Sequence, residues 1–456
     1  MHVQTNLILQ LALVVVFAWW SVRTTGSYMG APLLLVAALY IWHSPFLTGY
    51  FLKLSVFQRD PTRDLAVGGS YAPNAVALIG LCLGMTVLGC LIAFVREATR
   101  KMQERHPQRL PETWVSGAEF GGGVVRRTIW VLFFVFAAFT LAYFYYEGSR
   151  AFRLEYIELY RDPSESFLSR AYFRTQFGWI TLVLCTLSVA ASWSQRAAVA
   201  VSVLGIALLQ LMMGARSLPF LAVVAVGVCY DHFVRRIRLV LIVGVCVGLL
   251  AFSSVIVQSR ESGLGTNVFS GEGAPHEASA WQGLWEISAS VNTVVRTMYF
   301  CAHDGFAYGL SIGDAVVYVV PREVIRFVFG GDTGITAPGD WLVENSRDIR
   351  KGGGFGFSAV AEAYYNFGYY GCLLFLPLGW LVARSYYRWV LRGDGFSFLQ
   401  SMNVAIVFTL NMRNQLGSYM RVLVYAAAMI AVFRRIAAGW RLVQDPGTRV
   451  EAGAAR

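Results

Sequence analysis

The residues best suited to chemistry lie within Lys351–Gly371, KGGGFGFSAVAEAYYNFGYYG. A glycine run, Gly352–Gly354, follows a polar stretch, and one carboxylate, Glu362, then stands among apolar and aromatic residues. Ser358, Glu362, Tyr365 and Tyr369 recur at i, i+4, i+7 and i+11, which lines them along one helical face. The stretch continues uncharged from Cys372 to Ala383. One continuous helix is therefore expected, long enough for a bilayer, which takes roughly 20 residues. A carboxylate is costly in hydrocarbon, so it faces protein or water and marks function by default. Two roles stay open for Glu362. It can orient or deprotonate a hydroxyl, or it can pair with an arginine of a neighbouring helix and hold the bundle.

Arginines form the second set. Arg216 sits in a tight turn between two apolar runs, Arg260 follows a run, and Arg347, Arg350 and Lys351 precede the Glu362 segment. Arg413 lies in the turn before the last apolar run, and Arg421 lies early within that run. A guanidinium is a planar fork that binds phosphate bidentately. The competing reading is a side chain that reaches lipid headgroups. Arg216, Arg413 and Arg421 come first as substrate ligands, with Arg260 and Arg347 next. Arg350 and Lys351 fit helix-entrance anchors. Tyr364, Tyr365 and Asn366 can hydrogen-bond to or stack on sugars, although aromatics near a helix mouth also serve as interfacial anchors. His303 and Asp304 are adjacent, and neighbours on a helix do not face each other, so a surface pair is expected there.

Several chemistries have no signature. There is no G-x-x-x-x-G-K-[ST], so Gly352–Gly354 is not a nucleotide P-loop. H-E-x-x-H and G-x-S-x-G are missing, no D-x-D pair occurs, and the six His are isolated. No metal site and no cofactor are expected. The seven Cys are scattered, six of them in apolar runs, with neither disulfide nor metal spacing.

The elements that must position these residues are membrane helices. Of 456 residues 56% are hydrophobic and only 14% charged, and the mean hydropathy is +0.52. Such a chain is an all-α polytopic integral membrane protein. Apolar runs at roughly 6–22, 31–51, 72–95, 127–147, 176–193, 197–214, 217–233, 237–257, 357–383, 398–412 and 418–436 suggest about eleven transmembrane helices, within a range of ten to twelve. Basic residues cluster at Arg96–Arg109, Arg235–Arg238, Arg384–Arg392 and Arg434–Arg441. Counting spans puts all four clusters on one side, the cytoplasm by the positive-inside rule. The same count places the N-terminus, Lys53, Arg59 and Arg63 on the opposite side.

The expected organisation is a bundle of about eight helices over 1–257, a large outer loop at 258–356, about three helices over 357–442, and a cytoplasmic tail at 443–456. The loop carries seven basic and eleven acidic residues, so the net charge of +11 resides elsewhere. That argues against nucleic-acid binding. Within the loop, 263–277 is rich in Gly, Ser and Pro, Trp281–Phe300 reads as an amphipathic helix, and Ser311–Phe329, broken at Pro321, is apolar enough to lie on a bilayer surface.

Gly-Gly-Phe-Gly-Phe-Ser358, then Glu362-Ala-Tyr-Tyr-Asn-Phe-Gly and Gly371, resembles the bacterial O-antigen (oligosaccharide repeat unit) polymerases, the Wzy type. The many spans, the large outer loop in the second half and the Gly-Ala-Arg216-Ser turn resemble that family too. The resemblance implies a metal-independent integral-membrane glycosyltransferase of GT-C-like architecture in the bacterial inner membrane, with its active site facing the periplasm. Such enzymes join undecaprenyl-diphosphate-linked repeat units, as donor and acceptor, into O-antigen or a related surface polysaccharide, and they imply a chain-length regulator and membrane lipid as partners. On this reading Arg216, Arg413 and Arg421 take the diphosphate, Glu362 serves the acceptor or fixes an arginine, and Arg260 and Arg347 gate the loop side. Ser358, Tyr365 and Asn366 complete the substrate-binding set. Two alternatives remain: an O-antigen ligase, and a flippase or exporter of lipid-linked oligosaccharide. Against the second, no internal repeat is visible and the notable charges gather at one face.

Overall fold

The computed structural model describes residues 2–45, 48, 69–103, 122–153, 167–212, 217–246, 248, 290–320, 337–346 and 357–444. Among the described residues every regular element is a helix. In chain order these are α1 (His2–Thr25), α2 (Ala31–His43), α3 (Ala72–Gln103), α4 (Gly122–Arg153), α5 (Phe167–Val189), α6 (Trp193–Met212) and α7 (Ser217–Phe233). Then follow α8 (Ser290–Asp304), α9 (Leu310–Val317), α10 (Pro338–Asn345), α11 (Ala359–Phe367), α12 (Phe375–Arg392), α13 (Gly395–Asn411) and α14 (Leu416–Gln444). Short 3-10 turns cover Gly69–Tyr71 and Gly368–Leu374.

Four described stretches are long and apolar enough to cross a membrane: Val3–Thr25, Ala72–Met102, Gly123–Tyr146 and Ala359–Arg392. Four expected spans meet shorter apolar helices, Ala31–His43, Gly178–Val189, Pro219–Phe233 and Gly395–Thr409. Those at 197–214 and 418–436 fall on α6 and α14, and most of 237–257 lies outside the described residues. Large apolar side chains on α1 and α4, among them Val16, Trp19, Val131 and Phe134, face outward. An apolar exterior over an apolar core is what lipid as solvent demands, because the backbone is satisfied within each helix.

The core is knit most tightly where α3 crosses α12. A Cβ on Gly89 would collide with the Leu376 carbonyl and the Trp380 amide, and one on Gly379 with the Thr86 carbonyl. The two backbones therefore touch directly, the close approach that small residues permit between helices in lipid. Cys90 Sγ lies 3.5 Å from the Gly379 carbonyl at the same crossing.

The bundle has two chemically distinct ends. At one, Asp231 accepts from Ser27 Oγ (2.6 Å), Arg236 (3.0 Å) and the Ile237 amide (2.7 Å). Buried Glu97 lies between Arg384 (3.6 Å) and Arg392 (3.4 Å), and Arg434 reaches Asp394 (3.8 Å). Members of the four basic clusters thus gather at this end. At the other end His43 meets Ser358, Trp42 Nε1 donates to the Thr409 carbonyl, and Tyr71 packs on Tyr299. In α1, Gln10 bonds Ser44 and the Val76 carbonyl near this second end, while the chain just after α1 reaches Asp231. The helix therefore starts toward the second end, and α2 returns there.

Candidate functional site

α11 begins at Ser358 because its hydroxyl accepts the Val360 and Ala361 amides (3.2 and 3.3 Å), two of the donors that a helix start leaves without partners. The same oxygen lies 2.8 Å from His43 Nε2 at the end of α2, and the Ala359 amide donates to the Met412 carbonyl (3.1 Å). Ser358 is thus a cap and an interhelical tie, at the head of the row rather than within it.

One turn on, Glu362 is 3% exposed. Ser311 Oγ donates to its Oε1 (2.8 Å), and the Leu416 amide donates to its Oε2. Leu416 opens α14, so the carboxylate sits on the positive end of a 29-residue helix and takes one of its unpaired amides. Asn366 lies a further turn along and is fully buried. Its Nδ2 donates to Ser311 Oγ (2.7 Å) and to the Glu362 carbonyl (2.8 Å), and its Oδ1 accepts the Gly309 amide (3.0 Å). Gly309, at φ 91°, is the N-cap of α9. Two side chains four residues apart on α11 therefore hold the starts of two other helices.

The expectation of one continuous helix needs correction. α11 stops at Phe367, Gly368 adopts φ 57°, and a 3-10 turn carries the chain into α12. A left-handed residue ends the α-helical register, and glycine takes that conformation without steric cost. Tyr369 consequently leaves the face of Glu362 and packs its ring on Tyr364 (5.6 Å). Tyr365 is half-buried, its ring 4.5 Å from Trp341 of α10, while its carbonyl accepts the Ala307 amide (2.8 Å).

Arg421 projects from the second turn of α14, and its Nε donates to the Tyr318 carbonyl (2.8 Å) where α9 ends. Tyr425, one turn later, donates to the Val319 carbonyl (3.0 Å). Arg413 is half-buried in the short turn between α13 and α14, two residues before Gln415, whose Oε1 accepts the Gly339 amide of α10 (3.0 Å). Glu362, Asn366, Arg413 and Arg421 thus share one end of the bundle, assembled from α9, α10, α11 and α14. Arg216, Arg260, Arg347, Arg350, Lys351 and Gly352–Gly354 lie outside the described residues. His303 is exposed, and its Nδ1 lies 2.8 Å from the Tyr299 carbonyl one turn back.

Sequence reasoning missed Ser311, His43 and Trp341. Ser311 sat in an apolar run, and His43 counted as isolated because its partner lies 315 positions away. The i, i+4 spacing of Glu362 and Asn366 was the one signal that could have paired them. α9, expected on a bilayer surface, packs against α14 and α11 with Ser311 and Ala315 buried and leaves Leu310 and Val316 exposed. Asp314 on α9 has its carboxyl raised from the usual range by burial.

A family model described as O-antigen polysaccharide polymerase Wzy matches residues 74–437. No curated protein and no solved structure matched the chain.

Proposed function

Because the chain belongs to the O-antigen polysaccharide polymerase family, whose members act on lipid-linked oligosaccharide repeat units, we propose that it joins undecaprenyl-diphosphate-linked units at the bundle end that carries Glu362, Arg413 and Arg421. Membership already gives a multi-pass membrane protein with a glycosyltransferase-like polymerase role in O-antigen synthesis. The observation that carries the finer reading is the tie between Glu362 and the start of α14, the helix that bears Arg421 and follows Arg413.

In the reaction the bond between the growing chain's anomeric carbon and its diphosphate oxygen breaks. A new bond forms from that carbon to an acceptor hydroxyl, whose proton must leave. Charge develops on the departing diphosphate, and fixed guanidinium groups offset it without a metal. Arg413 and Arg421, with Arg216 from the α6–α7 turn, take that role, and Arg260 and Arg347 close the loop side. Both oxygens of Glu362 are occupied within the protein, so it acts as a positioning residue that sets α14 and its arginines. Tyr365 borders the acceptor, and Asn366, buried and fully bonded, positions α9 beside it.

The same reading places the bundle in the bacterial inner membrane as eleven spans of GT-C-like form. The basic end faces the cytoplasm, in keeping with Arg236, Arg384, Arg392 and Arg434 gathering there, and the site faces the periplasm. A chain-length regulator would dock on that face. The test is a surface-polysaccharide gel from a strain lacking the protein, complemented with the parent or with Arg413→Ala. A lipid core bearing one repeat unit and no ladder supports the proposal. Long polymer held on lipid diphosphate would mean a ligase, and repeat units that never cross the membrane would mean a flippase.

A further inference from the structure

α8 is buried on every side over its first two and a half turns, Ser290–Met298, yet one of its faces is polar. Ser290, Thr293, Arg296 and Thr297 are 1%, 1%, 4% and 0% exposed. At 3.6 residues per turn they fall within an arc of about 120°. Val291, Val294, Val295 and Met298 fill the opposite face. Among the described residues the hydroxyls of Ser290, Thr293 and Thr297 have no hydrogen-bond partner. Helical hydroxyls elsewhere in this chain avoid that cost by turning back to the carbonyl four residues earlier, as Thr86, Thr128, Thr186 and Thr409 do. Thr297, within α8, does not. Other buried hydroxyls without partners, such as those of Ser21 and Thr140, stand singly. Three on one face, with a permanently charged guanidinium beside them, need a common explanation.

We infer that the polar face of α8, formed by Ser290, Thr293, Arg296 and Thr297, binds the diphosphate of the lipid-linked substrate. This rests on the proposed reading of the chain as acting on lipid-linked diphosphates. α8 packs against α2, α3 and α11, so the helix belongs to the bundle end that holds Glu362 and Arg421. Hydroxyls donate to anionic phosphate oxygens, and a guanidinium matches them bidentately. The set adds a wall to the site from a helix whose arginine no motif singled out. α8 is amphipathic, its polar face buried together with its apolar one; the 281–289 part of the expected amphipathic helix lies outside the described residues.

Orphaned hydroxyls make the test discriminating. Replacing a buried hydroxyl that has no protein partner with a methyl does not weaken the fold, whereas removing a ligand contact weakens binding. Thr293→Val, Thr297→Val and the double variant are purified in detergent, with thermal unfolding and binding of farnesyl diphosphate and of inorganic pyrophosphate as readouts. Expected is a melting temperature equal to or above the parent's, with affinity for both probes lowered about tenfold per hydroxyl. Unchanged binding at raised stability overturns the inference, and so does a lowered melting temperature, since the hydroxyls would then serve the fold. Loss of farnesyl diphosphate binding with pyrophosphate unaffected overturns the assignment to the diphosphate. None of these readouts depends on polymer formation, so a failure here stays distinct from a failure of the gel test.

Discussion

Glu362 offers the sharpest test, because its two candidate roles diverge under one substitution. Its carboxylate accepts Ser311 Oγ (2.8 Å) on one oxygen and the Leu416 amide on the other. Glu362→Ala removes both acceptors and leaves a buried hydroxyl and a helix-opening amide without partners. A hydrogen bond to a charged group contributes about 1.5–3 kcal/mol, and stranding its buried partner costs about 1–3 kcal/mol. Two such contacts put the alanine variant about 3–5 kcal/mol below the parent, within the range for breaking a buried polar network. Glu362→Gln keeps the shape and an acceptor for Leu416, and reverses one donor toward Ser311, whose hydroxyl can reorient. Its expected cost is about 1 kcal/mol. Thermal unfolding in detergent should therefore rank parent, glutamine, alanine, with most of the loss at the last step. The O-antigen ladder should follow the same order, present with glutamine and absent with alanine. A general base would behave otherwise, since its loss removes about 10²–10⁴ of the rate whatever the stability. A glutamine variant that melts like the parent and makes no ladder would refute the positioning role and establish Glu362 as the base.

Arg421→Ala should abolish the ladder with little change in protein level, and Arg421→Lys should restore little of it, because an ammonium replaces a planar fork; immunoblot and gel together decide. Ser358→Ala should lower stability by about 1 kcal/mol through loss of the cap that holds Val360 and Ala361, while leaving the ladder in place. Asp231→Ala should destabilise by about 3–5 kcal/mol, because Ser27, Arg236 and the Ile237 amide all lose their acceptor. Gly379→Val should prevent the bundle from closing, whereas Gly84→Ala, with open space around its Cβ, should be neutral or stabilising by about 0.5–1 kcal/mol; detergent-extracted yield and melting temperature read both.

The class of the fold was legible in hydropathy, since lipid leaves a helical chain little alternative. Glu362 was legible because a charge in an apolar run is conspicuous. Its partners were not. Ser311 and Leu416 lie 51 and 54 positions away, and nothing in periodicity says which helix start a carboxylate will hold. The break at Gly368 was hidden by the uncharged run on both sides, because hydropathy does not register a left-handed residue. Arg296 escaped notice for the opposite reason. It sits on the polar side of an amphipathic helix, where an arginine is ordinary until the structure buries that side.

The crossing of Gly89 and Gly379 bears on how such a machine can move. Two helices that meet through side chains can slide by one turn and re-dock in a new set of rotamers. Two that meet backbone to backbone have no rotamers to exchange, and a one-turn shift would bring Phe375 or Met85 into a gap without room for a single carbon. α3 and α12 therefore form a keel. Glu362 and Asn366 ride on that keel through α11, joined to α12 by the short turn at Gly368–Leu374. A polymer that lengthens by one unit per cycle needs a site that opens and closes repeatedly. With one wall fixed, the stroke falls to what leans against it: α9 and α14, held to α11 by hydrogen bonds that can break and re-form in place.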